Sequence, residues 1–354
     1  MRPLAWALVS LIGFFLFFLF DPEPTFRPRE SGVVVSDRAR AIHQDAIVVD
    51  LHVDSLLWQR ELEESGQGGQ LDFPRMRQGG LDVAALTLPT RFFGVAGLKA
   101  FHDLWPPSAW FSSYARLRVQ LGKTEAFHSA HRASDPESIR RNAGESRLSY
   151  FHGIEGAHAL DGDSSRVVPL EKLGVVFIGL VHLKDNAYGG SSSGSDRGLT
   201  ELGRRLLEEM NRASVLVDLA HASERTFFDA IELTAYPPLV SHTGVRAIHD
   251  RWRNLSDDQI RAVASKGGVI GVMLAPPGLK EPSLDEALDH IEHIVAIGGE
   301  DTAAIGSDFD GYVDPPIDVS GLPQLTELMV RRGWSETRVR KVLGENALRL
   351  LESR

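Results

Sequence analysis

Cysteine is absent from this 354-residue chain, which excludes disulfides and thiolate ligands. Any metal must therefore be held by histidine, aspartate or glutamate. Positive charge is also in short supply: 38 Lys and Arg stand against 48 Asp and Glu, a net charge of -10. No cluster of basic residues offers a stripe for phosphates, which argues against a nucleic-acid partner. A Gly-x-Gly-x-x-Gly turn after the first strand-like run is missing too, and with it the usual mark of a dinucleotide fold. Gly189–Ser195 resembles a phosphate loop only in composition and reads as a flexible strand-to-helix loop over a pocket. With 43% hydrophobic and 24% charged residues, the chain is nevertheless an ordinary globular protein with enough apolar material for a large core.

Long apolar runs are absent apart from one. Residues 4–20 carry no charge and are rich in phenylalanine, with Arg2 before them and Asp21-Pro22-Glu23-Pro24 after. As a helix this stretch spans roughly 26 Å, close to the ~30 Å of a bilayer core. The run ends in Leu16-Phe17-Phe18-Leu19-Phe20 rather than in the small residues of a cleavage site, which favours a retained single-pass anchor over a removed signal. Arg2 on the near side keeps the N-terminus in the cytoplasm and sends the rest across the membrane, as in a bacterial envelope protein. The expected organisation is an anchor at 1–20, a linker at 21–40 and a globular part at 41–354.

Within that part, short apolar runs at 46–50, 82–88, 148–153, 175–181, 214–219, 238–241, 268–274 and 302–306 alternate with helical patterns at Leu199–Arg212, Ser223–Leu233, Ser256–Lys266 and Leu284–Ile297. Continuous apolar runs suit strands buried on both faces. The alternation predicts an α/β fold of the (β/α)8 barrel type, with a helical insertion at 98–132 and C-terminal helices. An open doubly wound sheet competes less well, because polar residues end so many different runs, and in a barrel all those ends face one pocket.

Those polar residues are the chemistry. His52 and Asp54 close the first run two residues apart, hence on one strand face about 6.6 Å from each other. Glu155, His182, His221, His242 and Asp308 each follow a later apolar run. Any one of the histidines alone reads as a structural residue; together, at matching strand ends, they argue for a single site. Five His and carboxylate ligands are too many for one hydrolytic zinc and fit two. His52 and Asp54 with Glu155 are assigned to one ion, and Glu155 with His221 and His242 to the other, so that Glu155 bridges. Asp310, in a Phe-Asp-Gly turn, is given a structural role.

Asp50-Leu51-His52-Val53-Asp54, Gly153-Ile154-Glu155-Gly156, Asp218-Leu219-Ala220-His221-Ala222-Ser223, Val240-Ser241-His242, Arg253-Asn254-Leu255-Ser256-Asp257 and Gly306-Ser307-Asp308-Phe309-Asp310-Gly311 resemble the membrane (renal-type) dipeptidases, a family of barrel-fold zinc peptidases. The resemblance runs along residues 41–353. It implies the same five metal ligands, two zinc ions, dipeptide substrates including those with a D-residue at the C-terminal side, opening of some β-lactams, and a homodimer. It also implies that His182 contacts the substrate carbonyl, Arg253 the substrate near its carboxylate, and that Asp308 handles the proton. Two zinc ions would make a water nucleophilic near neutral pH, and a non-ligand carboxylate would pass its proton to the leaving amine. Two other readings remain: an amidohydrolase-type metal hydrolase acting on cyclic amides or lactams, and a non-catalytic, membrane-tethered binding barrel. His52-Val53-Asp54 stands where the amidohydrolases usually carry His-x-His, and no ligand is missing as it would be in a dead barrel.

Overall fold

The computed structural model describes residues 32–66, 68–90 and 106–354. The predicted anchor at 4–20 and the first residues of the predicted insertion lie outside them. Among the described residues no helix is long and apolar enough to cross a membrane.

Eight strands form a closed parallel barrel: β1 (Val49–Val53), β2 (Val83–Pro89), β4 (Leu148–Glu155), β5 (Val175–Gly179), β6 (Leu216–Asp218), β7 (Leu239–Thr243), β8 (Val269–Val272) and β9 (Ala303–Ile305). Closure comes from β1 pairing with both β2 and β9, and from β2 pairing with β4. Every residue of these eight strands is buried, because helices cover the outside and side chains fill the inside. That is why the strands read as continuous apolar runs. The four helices expected after them are present at Glu201–Arg212, Glu224–Leu233, Asp257–Ser265 and Leu284–Gly298, each opened by a Ser or Thr whose hydroxyl accepts a backbone N–H of the first turn.

Two features depart from expectation. The insertion contains a helix at Ser113–Lys123 but ends in a ninth strand, β3 (Ala130–Arg132), paired parallel with Leu148–Tyr150. β5 joins β4 only from His152 onward, so the start of β4 has a free flank that β3 covers. The second departure is that packed structure is already present before Ala41. A helix spans Asp37–Asp45, and Ser36, its N-cap, donates from both N and Oγ to Glu327 at 2.9 and 2.6 Å. The boundary moves back because His43 is also buried, with its ring nitrogens 2.7 Å from Thr326 Oγ1 and 2.8 Å from the Gly79 carbonyl.

The barrel interior is sealed at the strand starts by the C-terminal helix Asn346–Glu352, whose Ala347, Leu348, Leu350 and Leu351 pack with Val49, Phe151, Phe177 and Val269. Asn346 Nδ2 donates to the Ala303 carbonyl at 2.8 Å. One end of the barrel is thus closed by packing, leaving the C-terminal end of the strands for a site.

Candidate metal centre and active site

His52 lies on β1 and Asp54 one residue beyond it; Glu155 is the last residue of β4, and His242 lies on β7. His182, His221 and Asp308 each follow their strand by three residues. His221 and Asp308 have φ of 64°, a left-handed conformation that costs a non-glycine residue energy and turns the side chain inward. These residues, with Arg253, come together at one end of the barrel around a cavity of about 340 Å³. His52 is fully buried and does not line the cavity.

Glu155 Oε1 is the hub. It lies 3.0 Å from His221 Nε2, 3.4 Å from His182 Nε2, 3.6 Å from His242 Nε2 and 3.7 Å from His52 Nε2. The Nε2 atoms of His221 and His242 are 3.2 Å apart. On the other flank, His52 Nε2 is 3.6 Å from Asp54 Oδ1 and 3.9 Å from Asp308 Oδ1. Donors bound tetrahedrally to one zinc at ~2.1 Å stand about 3.4 Å from one another, so this spacing matches a set of metal ligands. His52 Nε2 is buried without a hydrogen-bond partner, which a cation would satisfy. Three groups of donors in the cluster come within 4.8 Å of one another, namely His52, Glu155 and His242; Glu155, His182 and His221; and His52, Asp54 and Asp308. The residues present therefore fit a metal of the zinc type, with nitrogen and oxygen donors only.

Electrostatics agree. Burial pushes Glu155 well above the ordinary carboxylate range, with the Asp54 charge adding to it. Burial likewise raises Asp308 to about 7, against the opposing charge of His52. Burial would lower His52, but the nearby Asp54 carboxylate, with the charges of Glu155 and Asp308, carries it to about 9. Burial thus disfavours the anionic form of these carboxylates, and a proton or a metal cation would offset their charge. His221 and His242 go well below the usual imidazole value through burial and the charge of Arg253, which keeps them neutral and available as ligands.

Several supports were not assigned from sequence. Thr87 Oγ1 on β2 donates to Asp54 Oδ1 at 2.5 Å. Ser241 Oγ lies between the rings of His52 and His242, and Asp218 lies behind it. Their only signal was position: Asp218 ends a strand three residues before His221, and Ser241 immediately precedes His242. The loop expected to be flexible, 189–195, is instead braced, with Ser191 Oγ donating to the His182 carbonyl at 2.6 Å and Ser192 N to the His221 carbonyl at 2.8 Å. Asp310 accepts from Gln70 N at 2.6 Å and contacts Ser55 and Arg60, a turn-holding arrangement. The cavity walls are largely apolar, from Leu57, Leu183, Trp252, Met273, Tyr312 and Val313. Arg253 is buried in the wall and donates from Nη2 to the His242 carbonyl at 2.6 Å.

Residues 36–354 match the sequence profile of the membrane dipeptidases, peptidase family M19. The chain belongs to the membrane dipeptidase family. An uncharacterized dipeptidase of Schizosaccharomyces pombe is 33% identical over 232 residues, covering 62% of this chain and 55% of the relative. A Claviceps purpurea dipeptidase is 31% identical over 244 residues, covering 66% of this chain and 57% of the relative. The matched region thus spans little more than half the length of these curated relatives. Among solved structures, a Rhodobacter sphaeroides metallopeptidase bound to a phosphinate mimic of L-Ala-D-Ala superposes with a TM-score of 0.76 at 28% identity, covering 87% of this chain and 99% of that one. In this M19 chain, then, the family barrel carries a buried His and carboxylate cluster at the open end.

Proposed function

We propose that the protein is a binuclear zinc dipeptidase that hydrolyses L,L and L,D dipeptides at the open end of its barrel. The observation that carries this is Glu155 Oε1, buried among four imidazole nitrogens at 3.0–3.7 Å. A carboxylate in that position would suit a ligand shared by two ions. In this reading His52, Asp54 and Glu155 hold one zinc, and Glu155, His221 and His242 the other. Zinc held there would supply Lewis-acid polarisation of the scissile carbonyl and a water acidic enough to attack near neutral pH.

The chain's own side chains do the rest. His182, partly open to the cavity, donates to the carbonyl oxygen as negative charge develops there. Asp308 takes a proton from the attacking water and returns it to the leaving amine. Arg253, a buried cation in the wall, binds the substrate carboxylate through guanidinium nitrogens other than the one held by the His242 carbonyl. The Rhodobacter relative's phosphinate mimic of L-Ala-D-Ala supports activity on L,D substrates. We also infer that residues 4–20 anchor the chain, with residues 21–35 as linker and the barrel outside the cytoplasm, from the uncharged run behind Arg2.

Elemental analysis of purified protein combined with a panel of L,L, L,D and C-terminally amidated dipeptides tests the reading. Two zinc ions per chain and cleavage of the free-carboxylate dipeptides only are expected. Full activity with one equivalent or less would refute the binuclear assignment, and equal cleavage of amidated substrates would refute the Arg253 role.

A further inference from the structure

The hydroxyl of Ser241 lies 2.7 Å from Asp218 Oδ2, 3.0 Å from His52 Nδ1 and 3.0 Å from His242 Nδ1. All four residues are buried. A hydroxyl has one proton to give and two lone pairs to offer. As a carboxylate Asp218 can only accept, and its Oδ1 already takes the N–H groups of Ala220 and Ser241 at 3.0 and 2.9 Å. The Ser241 proton therefore goes to Oδ2. Its two lone pairs then face two ring nitrogens, and both Nδ1 atoms must carry hydrogen.

That arrangement leaves the Nε2 lone pair of each ring free, and the Nε2 atoms are the ones directed at Glu155 Oε1. We propose that Ser241, oriented by Asp218, is a positioning residue that sets the Nδ1–H tautomer of His52 and His242 together and so prepares one ligand for each metal with one hydroxyl. The proposal rests on the metal-hydrolase reading above. It couples histidines on β1 and β7, strands separated around the barrel by β9 and β8. The serine cannot drift, because its carbonyl oxygen is packed against Gly271 and Gly306, where an added Cβ would come within 2.1 and 1.8 Å of it.

Metal-ligating histidines commonly take their tautomer from such a partner, and losing it typically weakens metal binding about 10–100-fold. The test is zinc affinity by chelator competition, on full-length metal-stripped protein, for wild type, Ser241→Ala, Ser241→Thr, Asp218→Asn and the Ser241→Ala/Asp218→Asn double variant, with the metal-free thermal midpoint measured alongside. Ser241→Ala and Asp218→Asn should each weaken zinc by about 10–100-fold, the double variant no more than the worse single, and Ser241→Thr should bind as wild type does. Asp218→Asn keeps the acceptor for the two backbone N–H groups and decides the matter if Ser241→Ala does not fold. A serine with a merely structural role would lower the metal-free midpoint and leave zinc affinity unmoved; that result, or additive losses in the double variant, overturns the proposal. A wild type that binds no zinc removes the underlying reading and the proposal with it, whereas wild-type binding with unchanged variants removes only the role of Ser241 and Asp218.

Discussion

Asp308 and Glu155 are both carboxylates of the same buried cluster, yet their surroundings predict different losses. Glu155 Oε1 meets four imidazoles, so Glu155→Gln should reduce zinc content at both positions, as elemental analysis would show. Asp308 approaches only His52 among these rings. Asp308→Asn should keep the fold and most of the metal while kcat falls about 10²–10⁴-fold, the usual cost of a lost acid/base; near-normal kcat with bound zinc would reassign it. A third residue sets acid sensitivity. His152 on β4 is buried, and burial, reinforced by the charge of Arg132, lowers its pKa to about 4. The unfolded imidazole takes its proton near 6.5, so the native state gains stability above that pH and loses it as pH falls towards 4. The full loss is about 3 kcal/mol. Denaturation midpoints followed from pH 7 to 4 should fall less steeply in His152→Gln than in wild type.

The elements hold the site through close backbone approach as much as through side chains. Gly271 on β8 and Gly306 after β9 let their backbones meet the Ser241 carbonyl on β7, where any Cβ would sit at 2.1 or 1.8 Å. Gly306→Ala should therefore push β7 outward, cost about 1–3 kcal/mol as overpacking does, and weaken zinc binding because Ser241 and His242 move with the strand. Unfolding by urea and chelator competition measure the two effects, and a stable Ala variant with unchanged zinc would show that β7 tolerates the shift. The helices were readable because apolar spacing and N-caps are local. β3 was not, because its three residues become a strand only where β4 offers an uncovered flank.

For the whole molecule, the truncation point matters. Ser36 and His43 tie the first helix to Glu327, Thr326 and Gly79. A fragment of residues 32–354 should fold and take up zinc as the full chain does, whereas one beginning at residue 46 should melt well below it. Thermal melting of the two fragments checks this, and equal midpoints would mean that the helix adds nothing to the barrel. Carbonate extraction of membranes containing the full chain tests the proposed anchor at residues 4–20; release into the soluble fraction would dismiss it.

The alternation of buried apolar runs with capped helices was enough, in the sequence itself, for an eight-stranded barrel. The polar residues that interrupt those runs marked the candidate site, because a barrel brings the ends of all its strands to one face. The missing cysteine by itself limited the metal donors to nitrogen and oxygen. Only the tertiary structure brought Glu155 Oε1 among four imidazoles, since that depends on strand stagger and on the left-handed turns at His221 and Asp308. Ser241 and Asp218 are the clearest instance. Serine and aspartate at strand ends are common and carry no periodic signal, and a hydroxyl can bridge two histidines on β1 and β7 only once closure of the barrel has brought those strands within 3.0 Å hydrogen-bonding reach.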